Sequence, residues 1–168
     1  MNTRAPVTRR FALACALLWE LTLIWPAAAQ PAGKACPAAE AIEPLHLYGL
    51  WQLRLWPEDG RVDDPASTGA LLFEKHPDYP GSVRGELRRS VNGSDLQARL
   101  SGDVTDGVFN LDESDDGVSM SAVWTGDPVD CGRRITGTRR PAEGRPASEP
   151  VLRFEPVSYT HLRAHETS

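Results

Sequence analysis

The sequence predicts an all-β domain: an antiparallel up-and-down meander of about eight strands that closes into a small barrel, with a two-sheet β-sandwich as the alternative. One observation is the spacing of turn signals. Asp59-Gly60, Asn92-Gly93, Asp106-Gly107 and Asp116-Gly117 all tolerate the positive φ that tight hairpins require. The second is strict alternation between those turns. Trp51, Leu53 and Leu55 fall on one face of a strand; Val83, Leu87 and Val91 oppose Arg84, Glu86 and Arg88. Leu96, Ala98 and Leu100 oppose Gln97 and Arg99, and Val118, Met120, Ala122 and Trp124 oppose Ser119 and Ser121. Each run has one dry face and one wet face, and closing such a sheet removes the edges that an open one exposes.

Taken in order, strands are expected at 47–56, 68–75, 82–91, 95–103, 107–113, 118–125, 133–139 and 151–155. The barrel domain therefore occupies residues 46–156. Before it, residues 30–45 are rich in Ala and Pro and read as an arm tethered at Cys36, with one helical turn before Pro44. Residues 140–149, with two prolines and few apolar side chains, read as a loop.

Residues 1–29 read as a cleavable export signal. Arg4, Arg9 and Arg10 supply a positive start, Phe11 to Trp25 is mostly apolar, and Ala27-Ala28-Ala29 is a small-residue cleavage site. Glu20 and Pro26 leave the apolar run shorter than the roughly 20 residues of a membrane-spanning helix, so no span is expected after cleavage. The expected location is periplasmic or secreted. Such compartments are oxidising, and without Cys15 of the leader only Cys36 and Cys131 remain. The pair is expected to form a disulfide.

The C-terminal residues 157–167 resemble, residue for residue, one reading frame of the transposon-end adapter used to build sequencing libraries. Residues 157–168 are accordingly expected to be a non-native tail, with the native chain interrupted near Pro156. His161 and His165 form an H-x3-H pair there, and it is set aside as a metal site for that reason.

Charge excludes one class of partner. The full chain has 18 Lys and Arg against 23 Asp and Glu. Without Arg4, Arg9, Arg10, Arg163, Glu20 and Glu166 the domain still carries a formal charge of about −7, so nucleic acid is not an expected partner.

Gly49-Leu50-Trp51 at the start of the first strand resembles the G-x-W of lipocalins and related calycin barrels. The resemblance implies that Gly49 and Trp51 close one end of the barrel and that Arg139 or Arg140, from the last strands, lies across the tryptophan ring. The family's longer C-terminal helix is missing from the pattern.

Catalytic constellations are absent from the sequence. It holds no G-x-S-x-G, no H-E-x-x-H and no phosphate loop, so no enzyme, cofactor or metal site is expected. Residues 112–117 cluster four carboxylates without the spacing of an EF-hand and read as a solvated hairpin. Trp56 and Trp124 are the candidate ligand contacts, and alternation allows only one of Trp51 and Trp56 inside the barrel. The expected function is a non-enzymatic exported binding module for a small apolar ligand or a protein. The alternative is a periplasmic protease inhibitor of the small β-barrel type, using residues 30–45 as its inhibitory arm.

Overall fold

The computed structural model describes residues 36–146 and 148–159; the leader, the first residues of the arm and the tail beyond Tyr159 lie outside the described residues. Eight antiparallel strands follow one another and close into a barrel, β1 pairing with β8. They are β1 (Gly49–Pro57), β2 (Ser67–Lys75), β3 (Val83–Val91), β4 (Ser94–Thr105), β5 (Val108–Ser114), β6 (Ala122–Val129), β7 (Arg134–Pro141) and β8 (Leu152–Ser158). The barrel, rather than the sandwich, is the architecture.

Turn chemistry sets the register at two of the four dipeptides, whereas Asp59-Gly60 and Asp116-Gly117 lie in the longer β1–β2 and β5–β6 loops. At the β3–β4 turn Asn92 and Gly93 have φ of 50° and 79°, and at the β4–β5 turn Asp106 and Gly107 have 52° and 78°. Each pair forms a two-residue loop between directly opposed residues, Val91 with Ser94 and Thr105 with Val108.

Two elements depart from expectation. The sixth strand starts at Ala122 rather than 118, because Val118 and Met120 belong to the β5–β6 loop and are 91% and 46% exposed. Asp116 redirects the chain there: its carboxylate accepts the amides of Val118 and Ser119 at 2.7 Å each, which bends the backbone out of a ladder. The last strand runs on through Val157 and Ser158, which pair with Gln52 and Trp51. Those two residues complete the closure, although they carry the start of the adapter-like sequence.

Inward side chains fill the barrel. Trp51, Phe73, Phe109, Phe154 and Trp124 form a continuous aromatic column, with neighbouring ring centroids 6.3, 6.0, 6.1 and 4.9 Å apart. Each of the five is at most 2% exposed. Leu53, Leu55, Leu71, Leu87, Leu111 and Ile135 pack round the column with essentially no exposure. Small eight-stranded barrels are filled in this way when bulky residues occupy every inward layer. The outer face carries Gln52, Arg54, Glu86, Arg88 and Arg99, where a membrane barrel would present an apolar band. No helix among the described residues is long and apolar enough to cross a membrane.

The two ends of the barrel differ. One, the plugged end, is crossed by the segment before β1, which forms two short 3-10 helices at Ala39–Ala41 and Pro44–Leu47. Ile42 and Leu47 from this segment are buried in the core, so from Cys36 onward the arm is a lid and not a free extension. The indole nitrogen of Trp51 donates to the Leu47 carbonyl at 2.7 Å, joining lid to barrel. A disulfide between Cys36 and Cys131 anchors the lid's beginning to the β6–β7 turn.

Because the bridge links residues 95 apart, loop-closure entropy alone makes it worth about 4–5 kcal/mol. The Cys36→Ser/Cys131→Ser variant is therefore expected to unfold at lower urea, losing about 2–5 kcal/mol. Equilibrium denaturation monitored by tryptophan fluorescence checks this, and an unchanged midpoint would show that the lid holds without its anchor.

Candidate functional site

The opposite end of the barrel holds a cluster of buried charge. Alternation brings Ser67, Arg89, Glu113 and Arg139 inward from four different strands at this charged end, where an all-apolar layer would continue the core. Arg89 is 8%, Arg139 2% and Glu113 1% exposed. Gly69 faces Arg89 across the β2–β3 ladder, and the missing side chain leaves interior volume for a long guanidinium.

Glu113 and Arg139 form the centre. Arg139 donates from Nε and Nη2 to the two oxygens of Glu113 at 2.8 and 3.0 Å, a bidentate fork. The Trp124 indole donates to Glu113 Oε2 at 2.8 Å, tying the charge pair to the aromatic column. Arg139 Nη1 donates to Glu149 of the β7–β8 loop at 3.0 Å. From there the alternation continues outward: Arg145 lies 3.8 Å from Glu149 and also pairs with Asp115 of the β5–β6 loop. A ladder of five charges thus runs from the barrel interior to solvent and straps two loops together over the end.

Burial alone would depress the Arg139 guanidinium, but hydrogen bonds and charge from Glu113, then Glu149, outweigh it and hold its pKa above the usual value. Arg145 is likewise raised, mainly by its bond to Asp115. Arg89 goes the other way: burial lowers it first and the nearby Arg139 charge second, with Glu113 and Glu149 opposing. Its Nη1 reaches Ser67 Oγ only at 3.5 Å, and its Nε has no hydrogen-bond partner among the described residues.

These positions correct one expectation. Trp51 pairs with Ser158 and Arg139 with Leu152, so the two lie six residues apart along β8, roughly 20 Å of strand. Arg139 therefore does not cover the Trp51 ring; it belongs to the other end, where Glu113 claims it. Trp51 and Gly49 do sit at the plugged end, with Trp51 edge-on to Phe73. Of the two ligand-contact candidates, Trp124 is wholly buried and bonded to Glu113, while Trp56 stands on the outer face opposite Arg153. Asp115 and Asp116 of the acidic hairpin spend their carboxylates on Arg145 and on local amides, and among the described residues no group of His, Cys, Asp and Glu is arranged to hold a metal. His76 likewise turns inward on its own loop, its Nδ1 accepting the amides of Asp78 and Tyr79 at 3.2 Å.

The ion-pair cluster was not legible as such. Inward Arg89, Glu113 and Arg139 each break an alternating apolar pattern, and that break was the available signal. Compared with known proteins, the chain matches no protein-family model and no curated protein.

Removing one partner of a buried pair strands the other. Arg139→Leu is expected to cost about 3–5 kcal/mol in urea unfolding, and Glu113→Leu/Arg139→Leu clearly less than the sum of the two single changes. Additive losses would show that the fork contributes no coupling.

The β5–β6 loop supplies a pH test. Hydrogen bonds from the Ser119 and Val118 amides lower the Asp116 carboxyl from 3.8 to about 2. Its folded pKa is depressed, so the loop's ordering is complete above the usual carboxylate pKa and is lost as pH falls through about 2. The Val118 and Ser119 amide resonances, followed between neutral pH and that point, should move together with that midpoint; a midpoint near 4 would break the assignment.

Proposed function

We propose that this chain is an exported, non-enzymatic binding module that recognises a protein partner from its outer surface. The observation that carries the reading is the aromatic column: Trp51, Phe73, Phe109, Phe154 and Trp124 occupy the space in which a ligand-carrying barrel would keep its cargo. Recognition then falls to the outside. Leu50 and Leu72 are cross-strand partners, 46% and 39% exposed, on the outer face of β1 and β2. Leu45 and Tyr48, 56% and 39% exposed, lie beside them in sequence, and the 3-10 helix that carries Leu45 packs against β2. Clustered large apolar side chains of this kind mark interaction surfaces more than isolated ones do. The leader-like residues 1–29 and the disulfide both support an oxidising compartment. The G-x-W start and the eight-stranded closed meander support a lipocalin-like ancestry, with a filled interior in place of a ligand cup.

The protease-inhibitor reading also keeps a foothold, in narrower form. Since Cys36 to Leu47 are committed to the lid, an inhibitory arm would have to be the residues between the signal cleavage site and Cys36.

A photo-crosslinking residue at position 50 of the exported protein should trap one discrete protein adduct in the cell that makes it, and Leu72→Glu should abolish that adduct. Saturable binding of an apolar fluorescent probe with quenching of Trp124, and no adduct, would instead return the reading to ligand carriage.

A further inference from the structure

Arg89 is a buried cation with an incomplete set of partners. Arg139 beside it makes three bonds to carboxylates, whereas Arg89 has the single long contact to Ser67 and no carboxylate within ion-pairing distance among the described residues. The Ser67 hydroxyl donates to the Ser90 carbonyl at 2.7 Å, so only its lone pairs face Arg89, and at 3.5 Å they hold it weakly. Neutralising the side chain is no escape, because a guanidinium stays protonated under any physiological condition. Leaving a charged donor buried and unbonded is costly, and native structures carry few such groups without a role for them.

What surrounds Arg89 states the chemistry of the missing partner. Glu113 is committed to the Arg139 fork and the Trp124 indole and makes no bond to Arg89. Glu149 reaches in from a loop, its side chain 27% exposed, and lays a carboxylate on Arg139 Nη1. The charged end thus already accepts one planar carboxylate from the solvent side, supplied by the chain itself, next to a second guanidinium that has none.

We propose that the charged end of the barrel is a binding site for a small organic carboxylate, received on the buried and unbonded Nε edge of Arg89, with Glu149 as the chain's own competitor for the neighbouring Arg139. A guanidinium Nε and adjacent Nη present two parallel N–H groups, which match the two oxygens of a carboxylate better than the tetrahedral oxygens of a phosphate. The filled core behind the cluster restricts the ligand to a small one. Displacement of Glu149 opens Arg139 Nη1 as a further donor and loosens the strap to Arg145 and Asp115, so occupancy and the position of the β7–β8 loop are linked. This site stands apart from the apolar patch at Leu50 and Leu72, and neither proposal depends on the other.

The test is a titration of the full chain in chloride buffer, with arginine Nε–H resonances as readout, sodium acetate as the probe and inorganic phosphate as a parallel arm. A saturable shift at Arg89 with acetate, half-complete at about 1–10 mM as suits a ligand of so few atoms, is the expected result. Arg89→Lys, which keeps the charge but loses the fork, should weaken acetate binding at least about tenfold, and Glu149→Gln should tighten it severalfold. A shift at Arg89 that rises linearly and matches that of exposed Arg61 overturns the site. Saturation by phosphate without acetate overturns the carboxylate assignment. Unchanged or weaker binding by folded Glu149→Gln overturns the competitor role.

Discussion

Closure is the constraint on which the rest depends. Once β8 pairs with β1, every inward side chain of eight strands must share one narrow volume, and no residue can relax outward without breaking a ladder. That explains why the interior resolves into layers with different chemistry. Bulky rings stack along the axis, leucines fill the angles between them, and a single layer at one end departs from this rule. The departure is tolerable only because Glu113 and Arg139 satisfy each other and Trp124 within bonding distance. Glu113 or Arg139 without the other would be worse there than an apolar residue.

The two ends solve the same problem by opposite means. A barrel of this size has open mouths through which water would reach the aromatic column. At one mouth the chain folds its own N-terminal segment across the opening and buries Ile42 and Leu47, an apolar seal fastened by a covalent bond. At the other, an electrostatic seal draws the β5–β6 and β7–β8 loops together through alternating charges. Apolar contact is insensitive to salt, whereas the outer rungs of the charge ladder, partly exposed, are screened by it. Flexibility is therefore distributed unequally, and the charged end is the one that solution conditions can loosen.

Much of the architecture was readable from periodicity and turn chemistry. Asn92-Gly93 and Asp106-Gly107 place two hairpins to the residue, and alternation puts Trp51 and Trp56 on opposite faces of β1. Failure came where a local side chain overrode the pattern. Val118 and Met120 continue the alternation of β6, yet Asp116 takes the backbone amides they would have needed. The site was harder still. Arg139 is close to where a lipocalin-like pattern places a ring-covering arginine, but which end of the barrel a residue reaches follows from strand direction and register, and a tripeptide resemblance contains neither. Arg89 shares the dry face of β3 with Val83 and Leu87, so alternation alone points it inward, but the partners it meets there come from other strands and depend on register.

The disulfide divides the molecule in a way that its stabilising effect does not convey. The covalent ring from Cys36 to Cys131 encloses β1 to β6, while β7 and β8 hang from it as a free hairpin. Those two strands are held by pairing with β6 on one side and β1 on the other, by the Arg139 fork to Glu113 and by Phe154 in the aromatic column. The β1–β8 ladder joins the residues most distant along the chain, and Pro156, opposite Leu53, contributes no amide to it. The barrel is thus a six-strand shell with a two-strand door, hinged at the β6–β7 turn where Cys131 sits and latched along β1. The latch strand is also the one whose last residues begin the adapter-like tail.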